Sequence, residues 1–358
     1  MELRYKEDWP QARERILAWW QGEIIDRVAI RVTAPKGPRR HVQPPSDTVR
    51  RWTDVDYLVE NYEAHFEATY FGGESIPCAT VNLGPSVIGA YLGAPLHHDE
   101  RTAWQTPIVH APSDWDAVHF DPENQWWQHT RRITEAFVNA GEGKFFVTIT
   151  DLGDATDVMS YLRTPEELCI DLLEIPETIY TVRDRITDIW FRLYEELFAI
   201  IRTKLTGSAS WLQVWSPGRS YTLQSDFSCM ISPSMYRDYV LPEVERMAKW
   251  LDHSIYHLDG PGAIQHLDML LEIPELHGIQ WVPGAGAPPA KEWPELLKRI
   301  QSAGKLLNIH APASDVEELL GMLSPKGLLI DTHCGSPDEA RHLLKQAETW
   351  TARSLRGC

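Results

Sequence analysis

The chain has 358 residues, 34 Lys and Arg against 51 Asp and Glu, a formal charge of −17, and 43% hydrophobic residues. That is enough apolar material for one large or two medium domains, and it excludes a disordered chain, a collagen-like repeat or a small disulfide scaffold. The negative field leaves nothing to gather phosphates, so neither nucleic acid nor an anionic membrane is expected as a partner.

The N-terminal stretch MELRYKEDWPQARERILAWW is charged and amphipathic, unlike a secretory signal, and no window approaches 18 uninterrupted apolar residues. The five Cys (Cys78, Cys169, Cys229, Cys334, Cys358) are scattered and form no CxxC pair, which suits a reducing compartment. A soluble cytoplasmic protein is expected. The 15 Trp are unusual: most should fill the core, while some can line a cleft.

In chain order, WPQARERILAWWQGE reads as an amphipathic helix, DRVAIRVTAP as a strand with Val28, Ile30 and Val32 on one face, and Asp47 through Glu67 as a second helical piece. Apolar runs predict strands at Phe145–Thr150, Ser210–Trp215, Ser254–Leu258, Gly278–Val282, Leu306–Ile309 and Gly327–Ile330. Helix starts are signalled by Thr164-Pro165-Glu166-Glu167, Ser314-Asp315-Val316-Glu317 and Ser336-Pro337-Asp338-Glu339. Strand then helix, repeated without a charged linker and without a GxGxxG turn, predicts an α/β fold, a (β/α)8 TIM barrel with additional N-terminal helices. Residues 1–75 form the helical layer and 76–358 the barrel in this reading.

Functional groups of such a barrel sit at the C-terminal ends of the strands. There the sequence places Asp151, Trp215, His257, Asp259, Trp281, His310 and Cys334, with Asp226 and Tyr221 close by. His257 and Asp259 are two apart on a strand and so share a face. With Cys334 from the last strand they can hold a zinc ion with an open fourth position. The alternative is a hydrogen-bonded pair that grips substrate without metal. Asp151, Asp154 and Asp157 are either carboxylates for glycoside chemistry or ordinary helix caps. Cys229 reads as a buried thiol, Asp226 in the same loop as the better site residue, and His97-His98 as a solvated loop.

Four segments, KFFVTITDLGDATDVMSYLRTPEEL, SDFSCMISPSMYRDYVLPEVERMAKWL, SIYHLDGPGAIQHLDMLLEIPELHGIQWVPG and LLIDTHCGSPDEARHLLK, resemble the uroporphyrinogen decarboxylase superfamily, whose other branch is the cobalamin-linked, zinc-dependent methyltransferases. ISPSMYRDYVLP is the most specific piece, and the resemblance spans roughly residues 75–350. It implies the (β/α)8 barrel.

In the methyltransferase branch a His-x-Cys pair and a C-terminal Cys bind zinc. His257 and Cys334 match, while Asp259 stands where that branch has Cys, which implies a harder metal. The decarboxylase branch fits poorly, because its "RQAGR" loop is absent and Cys334-Gly335 replaces its C-terminal His.

The resemblance therefore implies a zinc-dependent methyltransferase on a small methylated substrate, with methylcobalamin on a separate corrinoid protein or a folate as methyl carrier. Zinc would be held by His257, Asp259 and Cys334. Asp151, Asp226 and Asp259 would be catalytic, and Trp215, Tyr221, Trp281 and His310 would bind substrate. A homodimer is compatible with this reading. Two other classes stay open: a carboxylate-based hydrolase or lyase on a sugar-like substrate, using Asp151 and Asp259, and a non-catalytic small-molecule binding barrel.

Overall fold

A computed structural model describes residues 3–356, so Cys358 lies outside the described residues. Among the described residues there are eleven strands: β1 (Ala29–Pro35), β2 (Thr69–Gly73), β3 (Cys78–Ala79), β4 (Leu96–His98), β5 (Ala103–Gln105), β6 (Phe146–Val147), β7 (Ser220–Leu223), β8 (His253–Asp259), β9 (Gly278–Val282), β10 (Leu306–His310) and β11 (Leu328–His333). Seven form one sheet in the order β2-β1-β11-β10-β9-β8-β7. All its neighbours pair in parallel except β2, which runs antiparallel to β1. β3 and β6 form a parallel pair of their own, and β4 and β5 a short hairpin.

Alternation along the strands sorts side chains to two faces. One face carries Val28, Ile30, Val32, Tyr256, Leu258, Ile279, Trp281, Leu307, Ile309, Leu328 and Ile330, all within the large hydrophobic cluster that the helices cover. The other, inner face begins with Ala29, Ile255, Leu306 and Leu329, which pack with Trp9, Ala12, Ile16, Trp19 and Trp20 of the first helix (Trp9–Trp20) and with Leu212, Val214 and Trp215. A plug of tryptophans therefore fills the inner face at the strands' N-terminal ends. Polar groups are left for the C-terminal ends.

The strands around β8 to β11 fall where expected, and two of the three capping signals hold: Thr164 Oγ1 accepts the Glu167 N–H and Ser336 Oγ accepts the Glu339 N–H. Ser314 caps nothing; it lies in the 3-10 turn Ala313–Asp315, and the helix begins at Val316 without a side-chain cap. Asp47 to Glu67 is two helices, broken at Asp54, whose carboxylate accepts the Tyr57 N–H and starts the second.

The closed eight-stranded ladder is not formed, and the Ser210–Trp215 strand is absent. Those residues make a loop, with Gln213 at φ 59°, that folds over the inner face; there the Leu212 carbonyl accepts a hydrogen bond from Arg31. The apolar run marked burial, and the burial comes from plugging the sheet. Pairing passes to Ser220–Leu223 instead. The β3–β6 pair is joined to this side by the Ile149 N–H donating to the Ala209 carbonyl and by Ser210 Oγ, 2.6 Å from Thr222 Oγ1 of β7.

Candidate active site

Because β7 to β11 are parallel, their C-terminal ends share one rim. His257 and Asp259 project from the end of β8 on the inner face, and Asp226 comes from the turn Asp226–Met230 that follows β7, the neighbouring strand. One ligand atom from each of Asp226, His257 and Asp259 lies within 4.8 Å of the other two. Asp226 and Asp259 are exposed and His257 is half-buried.

His257 Nδ1 is 2.6 Å from Gln280 Oε1. An amide oxygen only accepts, so Nδ1 carries the proton and Nε2 presents its lone pair. Two carboxylates and one imidazole nitrogen with a fixed tautomer form a donor set suited to a divalent cation, zinc or a harder first-row ion.

Cys334 is not one of these donors. It sits after β11, three strands from β8, about 14 Å along the sheet at the usual strand spacing. Its N–H donates to the Thr33 carbonyl, its side chain is packed in the helix-facing cluster, and burial pushes the thiol up. Asp226 takes the place the sequence reading gave to Cys334, because adjacency in the sheet decides which loops meet.

Asp151 lies in the turn after β6. Its carboxylate accepts the Gly153 N–H at 3.1 Å, and burial, reinforced by the charge of Asp226, pushes it up to about 6. Asp154 is a cap, as one of the two readings had it: it starts the helix Ala155–Arg163 by accepting the Asp157 N–H at 2.6 Å. Asp157, buried, accepts the N–H groups of Asp226 (3.0 Å) and Phe227 (2.8 Å) and so fixes the turn that carries Asp226. Burial and the charge of Asp226 raise Asp157 to about 7.

Of the expected substrate-binding residues, His310 alone lies open at the rim. It lines a cavity of about 370 Å³ with Arg31, Trp211, Asp331 and His333. Trp215 is at the other pole: its indole N–H donates to the Thr206 carbonyl, and its own carbonyl accepts from Trp20, whose ring is 4.5 Å from His253 at the start of β8. Trp281 alternates with Gln280 and so faces the helices, fully buried, its ring edge-on to Trp293 at 5.2 Å. Tyr221 also faces outward, against Trp190. Its hydroxyl accepts the Leu152 N–H at 2.8 Å and props the Asp151 turn from behind. Cys229 is exposed, while His98 is packed between Trp52 and Trp126.

Several site residues escaped the sequence reading. Trp211 packs edge-on against His257 at 5.2 Å between ring centres. Arg31 binds the Asp331 carboxylate through Nε and Nη2, and Asn308 Nδ2 donates to the same carboxylate. Together with Gln280 these are the inward polar residues of four strands. Their signal was legible as single polar residues inside the apolar runs VAIRVTA, LLNIH, GIQWV and LLID.

Among the described residues three non-glycine positions hold positive φ: Ser86 (47°), Thr164 (110°) and Gln213 (59°). Gln213 lines the His310 cavity, Thr164 a second cavity beside Asp226, and Ser86 abuts Gly153. Backbone strain gathered in this way at one rim is a mark of a functional site.

No protein-family model and no curated protein matches the sequence. Among solved structures the chain is similar to a methyltransferase from Methanosarcina mazei, with 12% identity over 94% of this chain and 98% of that one and a TM-score of 0.64. At that identity the likeness establishes a shared fold: a mixed α/β architecture around a central, mostly parallel sheet.

Proposed function

We propose that this protein is a metal-dependent methyl-transfer enzyme of barrel type, with its cation held by Asp226, His257 and Asp259. Its substrate is a small methylated molecule, and the methyl carrier, a corrinoid protein or a folate, comes from outside the chain. The carrying observation is the meeting of Asp226, His257 and Asp259 at the strand ends, with His257 locked by Gln280. The fold shared with a methyltransferase supports the class of reaction.

A cation there supplies Lewis-acid polarisation of a substrate heteroatom. The chain's own residues do the rest. Gln280 fixes the neutral His257 ring in the tautomer that turns the Nε2 lone pair to the cation, and Asp157 holds the Asp226 turn in place. Trp211 covers one side of His257. Asp151, raised to about 6, can hold or release a proton near neutrality beside Asp226.

The test is elemental analysis of protein purified without chelator or affinity tag, followed by methyl-transfer assays with methylcobalamin and thiols. The proposal expects about one metal per chain, lost in His257→Ala, and transfer that depends on it. Stoichiometric metal retained in His257→Ala, or none in the native protein, overturns it.

A carboxylate hydrolase or lyase draws on one observation, the raised Asp151. That activity survives chelation. The burial of Trp215 and Trp281 removes the stacking platforms that a sugar-like substrate would have used.

A further inference from the structure

Beside the Asp226, His257 and Asp259 cluster, between the helix Ala155–Arg163 and the turn Asp226–Met230, lies an open cavity of about 350 Å³. Its walls include Asp157, Tyr161, Asp226, Phe227 and Met230, and no Lys, Arg or His lines it. The other cavity, reached past Trp211 on His257, is lined differently, by His310, His333 and the ion pair of Arg31 with Asp331. The two chambers of the rim are therefore chemically distinct.

We propose that the cavity beside Asp226 is a subsite for a methylated onium group, a quaternary ammonium or a sulfonium. This names a substrate class for the methyl-transfer reading and rests on it for the chemistry, but the binding itself requires no metal.

Three observations carry it. First, the walls combine carboxylates with aromatic rings and a thioether. Aromatic faces attract a cation that is weakly hydrated, whereas a strongly hydrated inorganic ion favours an all-oxygen shell. Second, the lining brings two carboxylates together with no basic side chain: Asp157, 3% exposed, and Asp226 share this wall. A buried carboxylate without a cationic partner is costly, and a cationic ligand relieves that cost. Third, Thr164 forms part of the wall at φ 110°, so the chain is held in a strained conformation at this cavity.

The test is calorimetric titration of the whole protein at pH 8 with choline and with its neutral carbon isostere 3,3-dimethylbutan-1-ol, with and without chelator. Choline should bind at least tenfold more tightly than the isostere. Tyr161→Leu and Phe227→Leu should each weaken choline on the order of tenfold, at unchanged far-UV circular dichroism. His257→Ala should lose metal and keep choline, so that failure of the metal reading and failure of this one are told apart. Equal affinity for choline and isostere would show a merely apolar cavity and overturn the proposal. Absence of choline binding to the folded protein would overturn it too.

Discussion

His257 and Gln280 are direct partners in the β8–β9 register, and the Nδ1–H of one donates to the Oε1 of the other at 2.6 Å. This single bond decides which imidazole nitrogen faces the rim. Gln280→Leu leaves the ring free to rotate and to exchange tautomers. Metal affinity should fall about 10- to 100-fold, read by competition titration against a chromophoric chelator, while Gln280→Glu should retain most of it. Unchanged affinity in Gln280→Leu would remove the orienting role.

Asp226 and Cys334 compete for the third ligand position, and substitution separates them. Asp226→Asn should abolish tight metal binding, whereas Cys334→Ser should leave stoichiometry at about one per chain. Loss of metal in Cys334→Ser with full retention in Asp226→Asn would restore the ligand set read from the sequence.

Trp215 lies in the plug, not at the rim. Trp215→Ala should cost about 3–5 kcal/mol of stability, seen as a lower urea midpoint, as expected for a large aromatic removed from a packed core. Metal stoichiometry should be unaffected under native conditions. A variant of native stability with impaired ligand binding would place Trp215 in the site after all.

Glu243 is buried. Its Oε1 accepts the Ala155 N–H at 2.8 Å, and burial raises its carboxyl from the ordinary 4.5 to about 8. The folded state thus favours the protonated form. The stability this contributes is complete below about pH 4.5 and is lost as pH rises through 8. Glu243→Gln should flatten that part of the pH profile, so the gap in urea midpoint between variant and parent should widen in the variant's favour from pH 5 to pH 8.5. A constant gap would refute the linkage.

His253 acts on the acid side. Burial, with the nearby His277, lowers it from 6.5 to about 4, and the folded state favours the neutral ring. Its contribution is present above pH 6.5 and is lost as pH falls through 4. His253→Gln should lose less melting temperature than the parent between pH 7 and pH 4.5. Parallel curves for the two proteins would exclude His253 as a contributor.

The sequence by itself determined the alternation of strand and helix, the strands β8 to β11 to within a few residues, the helix starts at Thr164 and Ser336, and the placing of His257, Asp259 and His310 at strand ends. Each of these is a local property: periodicity, a capping side chain, or the polar residue that ends an apolar run. The inward polar residues Arg31, Gln280, Asn308 and Asp331 were equally local and were open to the same reading.

Only the tertiary structure decided what meets what. Asp226 joins His257 and Asp259 because β7 and β8 are neighbours, and Cys334 does not because it follows a strand three positions away. An apolar run cannot say which surface buries it. Ser210–Trp215 therefore became a plug on the inner face, carrying Trp211 to His257 and Trp215 to the opposite pole, while Trp281 turned to the helices. Strand order and facing depend on contacts far apart in the chain, which composition and spacing do not encode.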